Sequence, residues 1–299
     1  MGALIWLASY PKSGNTWMRS FLHNLLRNSP TPVNINEIAD FCLGESYGEW
    51  YVQKYRKPLD QFTLDEIAEK RCRIHEDFTR VFPDSVFVKT HNYLGDWKGY
   101  PLHNMDVTAG GIYIVRNPLD VVPSMTHHYG LTIDEAILRL GNAGATTEMT
   151  AGHVPEVHSS WSLHVKSWTQ NPHPQLFIVR YEDLLEKPRK HFKKVTQFLG
   201  LKPPAERLER AIRNSSFKSL KAQEEKSGFR EKSRHAQAFF REGRKDQWRE
   251  QLSDAQIRQI IADHHEQMER FGYIPPDYRD AIPQESANEM PATPANSVA

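Results

Sequence analysis

What this chain lacks narrows it first. It has 299 residues and only two cysteines, Cys42 and Cys72. Two thiols build no disulfide framework and suit a reducing compartment. Neither sign of charge is in excess: 38 basic residues against 37 acidic leave a net charge of +1. That balance argues against non-specific nucleic-acid binding, but leaves room for a local basic pocket. Long apolar runs are missing too. The run Ala3 to Ala8 is soon interrupted by Lys12. It is too short to span a membrane, and no basic segment precedes it as in a signal peptide. Trp6 stands where myristoylation of Gly2 would need Ser or Thr. The expectation is a cytoplasmic protein without stable membrane insertion.

Other absences concern motifs. There is no Walker A loop, because Lys12 precedes Gly14 and no glycine opens the segment. His265-Glu266 lacks the second histidine of a zinc-protease helix, so no metal is expected. No repeat and no linker-like shift in composition appears. Residues 1–280 therefore read as a single domain. The stretch 281–299, with three prolines among Ala, Ser and Asn, is expected to be disordered.

What is there is an alternation of short apolar runs and helical patterns. Ala3–Ala8, Ser85–Lys89, Gly111–Val115 and Leu176–Arg180 read as buried strands. After the first strand, Pro11 and Gly14 break the chain, and Thr16 is a candidate N-cap. Trp17, Met18, Phe21, Leu22, Leu25 and Leu26 then fall at helical spacing. Thr63 with Glu66, and Ser253 with Gln256, form capping boxes. Asn117-Pro118 opens a helix to about Tyr129, which Pro123 is expected to kink. Pro188 starts a helix closed by Gly200. The Gly-, Thr- and Ala-rich stretch 141–155 reads as a mobile loop, and residues 222–238 as a flexible flap. Phe41, Tyr47, Trp50, Tyr51 and Tyr55 fit either core packing or an aromatic acceptor pocket. Strands alternating with helices predict an α/β fold with a central parallel sheet flanked by helices.

In such sheets ligands bind at the carboxyl ends of the strands. Those ends carry Lys12, Lys89 with His91, Arg116 and Tyr181. A helix N-terminus reached through a loop containing Lys and Gly is a ready anion site. Three cations and a histidine at one edge suit an anionic ligand and a proton acceptor.

These segments resemble the cytosolic-type sulfotransferases, which use 3′-phosphoadenosine 5′-phosphosulfate (PAPS). SYPKSGNTW is similar to that family's 5′-phosphosulfate loop, VKTH to the segment with the catalytic histidine, and YIVRNPLDVVPSM to the 3′-phosphate segment. VRYEDLL, NSSFKSL and FFREGRKDQW resemble the later segments that close over the nucleotide. Order and spacing agree from residue 3 to about 250. The resemblance implies a P-loop-like sulfotransferase fold and transfer of a sulfuryl group to an alcohol or phenol. It implies that Lys12, Ser13, Gly14, Asn15 and Thr16 hold the 5′-phosphosulfate and that Trp17 stacks on the adenine. It places Arg116 and Ser124 at the 3′-phosphate, and Tyr181, Ser215, Ser216 and Phe217 around the adenine. Phe239, Phe240, Arg241 and Gly243 would close the 3′-phosphate end. His91 would be the general base, with Lys89 beside it and Lys12 at the leaving oxygen. The product would be adenosine 3′,5′-bisphosphate, and the partner a small, hydrophobic or aromatic acceptor.

The chain departs from the family pattern in places. Asn15 replaces a Thr, Glu242 a Lys, and Asp246-Gln247 stands where Gly-Asp is usual. Ser253-Asp254 and Arg258 break the short C-terminal dimer motif. A kinase-like nucleotide enzyme and a non-catalytic module binding adenosine 3′,5′-bisphosphate are the alternatives.

Overall fold

The computed structural model describes residues 2–283. Five strands form one sheet in the order β2-β3-β1-β6-β7, with every pairing parallel. They are β1 (Leu4–Ser9), β2 (Leu43–Gly44), β3 (Val86–Thr90), β6 (Thr108–Val115) and β7 (Leu176–Arg180). A small antiparallel hairpin, β4 (Asp96–Trp97) and β5 (Tyr100–Pro101), lies between β3 and β6 in the chain.

Side-chain alternation along the central strands builds two cores. Trp6, Ala8, Tyr113 and Val115 face one cluster, with Trp161, Trp168 and Ile261. Leu7, Ile112 and Ile114 face the other, with Met18, Phe21, Leu22 and Phe192. Successive residues point to opposite faces, so apolar residues at every position require helices on both sides.

Local signals hold where the chemistry is local. Both capping boxes are formed, at the starts of the helices Leu64–Phe78 and Asp254–Arg270. Asn117 accepts a hydrogen bond from the Leu119 amide at 3.1 Å and opens the helix Pro118–Tyr129, which runs through Pro123. The helix Pro188–Phe198 ends just before Gly200, whose φ is 70°.

Two expectations change and two are narrowed. The first helix runs Asn15–Arg27, with Gly14 rather than Thr16 at the N-cap. Gly14 has φ 101°, a turn that glycine makes without a Cβ penalty. The aromatics of residues 29–60 belong mostly to the core: Tyr51 is fully buried, Trp50 packs on Phe78, and Tyr55 on Phe62. The expected flap begins as the end of the helix Phe217–Ser227, and the loop that follows buries Phe229. The stretch 141–155 is irregular, yet bridges join Tyr47 to His153 and Thr146 to Val157. Of the stretch 281–299, residues beyond 283 lie outside the description, while Ala281 and Ile282 pack against the core.

Candidate active site

Parallel strands bring their carboxyl ends to one edge. The loop after β1, the turn after β3, the start of the helix after β6 and the start of the helix after β7 therefore meet there.

The β1 loop is held from three sides. Asn15 Nδ2 donates to the Leu7 carbonyl at 2.8 Å, tying the helix start back to the strand. The asparagine side chain is thus engaged with β1. Arg116 Nη1 donates to the Lys12 carbonyl at 2.8 Å, and its guanidinium lies 4.5 Å from the Tyr181 ring centre. That ring covers Gly14: a Cβ there would lie 2.6 Å from it. Lys12 has φ 66°, unusual for a residue with a side chain. Trp17 is half-buried and packs edge-on against Tyr181 and Phe192. Thr16 Oγ1 accepts from Arg19, and Ser124 sits half-buried in the second turn of its helix.

This loop carries unsatisfied polarity. Among the described residues, Ser13 Oγ, Trp17 Nε1 and Arg116 Nε are buried without a hydrogen-bond partner. The first helical N–H groups have no intrahelical acceptor either. Burial, then the Arg116 charge, lowers the Lys12 pKa to about 7. Buried donors without acceptors cost free energy, and an anion would supply the acceptors.

The later segments close over this loop. Lys12 Nζ lies 4.2 Å from the centre of the Phe239 ring. The amides of Phe239 and Phe240 donate to the Glu224 carboxylate at 2.7 and 2.8 Å. Gly243 has φ 62° and touches the Phe217 ring so closely that a Cβ would clash. Asp120 accepts from the amides of Asp246 and Trp248, which fixes the segment's exit. Asp246 has φ 62°, which explains why a glycine suits that place. Ser216 caps the helix Phe217–Ser227, while Ser215 Oγ donates to the Ala211 carbonyl at 2.8 Å. Arg241 is engaged with Gln247 at 2.7 Å and Glu242 at 3.4 Å.

At the neighbouring strand end, His91 Nδ1 lies 2.7 Å from the Ser9 carbonyl. A carbonyl only accepts, so Nδ1 carries the proton and Nε2 keeps its lone pair. Burial, then Lys89, holds the His91 pKa well below 6.5, so the ring is neutral near pH 7. Lys89 is paired: its Nζ lies 3.0 Å from Glu156 Oε1. The other Glu156 oxygen faces His158 Nε2 at 3.5 Å. Burial raises the Glu156 pKa, but Lys89 overrides it and holds the carboxyl well below its usual range. The His91 turn is braced from beneath. Asn92 donates to the buried Glu45 at 2.7 Å and accepts from the Val157 amide.

Glu156, His158, Asn92 and the Arg19–Glu231 pair were not singled out from sequence. The only signal was Glu156-x-His158, an alternation that puts both side chains on one side of an extended segment. Among the described residues no cluster of three or more His, Cys, Asp or Glu side chains is arranged to hold a metal. No described helix is long and apolar enough to cross a membrane.

Sulfotransferase 1A1 of Canis lupus familiaris is 26% identical over 275 residues, covering 89% of this chain and 83% of that protein. Sulfotransferase 1E1 of Bos taurus is 28% identical over 222 residues, covering 72% and 65%. Among solved structures, retinol dehydratase with androsterone and the inactive cofactor PAP superposes with a TM-score of 0.62 at 18% identity, covering 92% and 83%. Mouse sulfotransferase SULT7A1 complexed with PAP gives 0.59 at 22%, covering 89% and 84%. Those two structures speak to the fold. The sulfotransferase domain model matches residues 4–272, taking in the whole sheet and every strand end of the site. The chain belongs to the sulfotransferase domain family.

Proposed function

We propose that this chain transfers a sulfuryl group from PAPS to an acceptor hydroxyl, with His91 as general base. One observation carries the reading: a loop with unpaired buried donors and a near-neutral lysine faces a histidine whose Nε2 is free to accept a proton. The relatives' solved structures hold PAP, the nucleotide such a transfer leaves behind. The residues fit that group. Lys12, Ser13 and the amides of Gly14 to Trp17 would hold the 5′ end. Arg116 and Ser124 would take the 3′-phosphate, and Tyr181, Phe217 and Phe239 would flank the nucleotide.

PAPS supplies the sulfuryl group and a phosphate oxygen that departs with the bonding electron pair. His91 Nε2 takes the acceptor's proton as the new S–O bond forms, a role worth about 10²- to 10⁴-fold. The Nδ1–H bond to the Ser9 carbonyl orients the ring throughout. Lys12 stabilises the charge that grows on the leaving oxygen, so it favours the transition state over the ground state. Transfer of this kind rests on positioning and charge stabilisation.

Calorimetry with adenosine 3′,5′-bisphosphate, and separately with Mg-ATP, tests the donor. The bisphosphate is expected to bind, and tight Mg-ATP binding without it overturns the reading. A radiolabelled-sulfate transfer assay tests the base. His91→Ala is expected to lose about 10²- to 10⁴-fold in kcat with bisphosphate affinity retained. Full turnover by that variant rejects His91 as the base.

A further inference from the structure

The surroundings of His91 have a composition that residue patterns did not foretell. Beside His91 stand Lys89 and Glu156, joined at 3.0 Å, with His158 behind them at 3.5 Å. The His158 ring lies 6.4 Å from that of His91. His158 is 1% exposed, and among the described residues its Nδ1 has no partner. His128 enters from the helix Pro118–Tyr129, its ring 6.0 Å from Phe239. The same Phe239 ring lies 4.2 Å from Lys12 Nζ, which puts His128 beside the phosphate loop. Glu231 enters from the loop after the helix Phe217–Ser227, with both oxygens on Arg19 at 2.5 and 2.8 Å.

This wall is polar, and its charges are matched. An apolar acceptor pressed against Glu156 and Lys89 would take their water and return no hydrogen bond, which is costly. A cationic acceptor needs a carboxylate without its own cation. Glu156 has Lys89, and Glu231 has Arg19. An anionic acceptor needs a spare cation, and Lys12 and Arg116 face the nucleotide side. What remains is a guest without net charge that both donates and accepts. A hydroxyl group does both, as do the imidazoles of His128 and His158, which burial keeps neutral.

We infer that the acceptor is a neutral molecule rich in hydroxyl groups, a polyol or sugar-like alcohol, and that Glu156 selects it. Glu156 accepts from a hydroxyl next to the one that reacts, while Lys89 donates to the same region. This rests on the proposed sulfuryl transfer and replaces the expected hydrophobic or aromatic acceptor with a polar one.

The test measures transfer from PAPS to neutral polyols and glycosides and, in parallel, to phenols, sterol-type alcohols and amino alcohols. Product mass and PAP release are both followed. The best polyol is expected to exceed the best phenol in kcat/KM by about tenfold or more. Glu156→Gln is expected to lower kcat/KM for the polyol about tenfold, mainly through KM, and to leave PAP affinity within about twofold. Glu156→Asp keeps the charge and is expected to retain part of the selectivity. Preference for phenols or amino alcohols overturns the inference. So does an equal effect of Glu156→Gln on all acceptors, which would mark a structural role. PAP titration separates the two levels: loss of PAP binding in the unmodified protein rejects the transfer reading itself. PAP binding with a phenol preference rejects only the acceptor class.

Discussion

At the phosphate loop Lys12 and Arg116 stand without carboxylate partners, whereas Lys89 beside His91, and Arg19 in the first helix, each have one. Among the described residues, Lys12 and Arg116 form no ion pair, and polar atoms around them lack partners. Lys89 and Arg19 are paired with Glu156 and Glu231. Burial acts on both sides, but the outcomes diverge. Lys12 drops to about 7 because burial and Arg116 outweigh the more distant Glu231 and Glu224 carboxylates, neither of which pairs with it. Lys89 ends above its ordinary value because Glu156 more than offsets the same penalty. An unmatched buried cation marks where a guest must bring negative charge. A matched one marks where it need not.

The contrast can be broken from either side. The largest expected effect comes from unmatching a matched charge. Arg19 is 2% exposed, so Glu231→Ala leaves a buried guanidinium without a counter-ion. A loss of about 3 kcal/mol in folding stability is expected, the low end for such pairs because Glu231 is partly exposed. Urea denaturation measures it, and an unchanged midpoint would mean that Arg19 is hydrated.

Removing the unmatched cation comes next. Lys12→Met is expected to lower kcat by about 10²- to 10³-fold with little loss of stability, since burying an unpaired ammonium is itself costly. Single-turnover transfer and thermal unfolding report the two quantities. A variant that loses stability but keeps its turnover would make Lys12 a structural residue.

The smallest effect concerns pH. Lys12 titrates near pH 7 in the free protein, and a bound anion raises that value. Binding of adenosine 3′,5′-bisphosphate should therefore take up a proton above pH 7 and none below it. From pH 7 to pH 8 the affinity is expected to fall by up to about tenfold. Calorimetry in buffers of different ionisation heat detects the uptake. His91 behaves in the opposite sense. Its depressed pKa keeps it neutral, so kcat/KM should show no acid-side fall until well below pH 6.5. An acid limb centred at 6.5 would contradict the buried, lysine-flanked environment.

The two sides also differ in how far the sequence revealed them. The phosphate loop is one continuous segment, and strand, turn and helix start follow from residues within reach of each other. Arg116 and Tyr181 were placed by the general rule for strand ends in parallel sheets. The proposed acceptor wall is assembled from distant segments. Glu156 directly follows the stretch 141–155, whose composition reads as a loose loop. Its order comes from the next residue, Val157, whose amide donates to Asn92, 65 positions away. Strand β2 escaped notice because two residues, Leu43 and Gly44, carry no periodicity. The C-terminal half of the helix Phe217–Ser227 reads as flap because only Glu224 within residues 222–227 is buried. Its Glu224 turns inward to hold two backbone amides, a purpose that charge alone does not disclose.

The empty place of a Cβ at Gly14 has a consequence for how this protein can drift through generations of mutation. Any added carbon there meets the Tyr181 ring at 2.6 Å, and that ring supports Arg116, which grips the Lys12 carbonyl. A single methyl group at position 14 therefore disturbs three strand ends together. Neighbouring Asn15 has room for exchange wherever its tie to Leu7 can be replaced. Position 14 has none, so lineages can vary the surroundings of Glu156 while the loop beneath Tyr181 stays fixed.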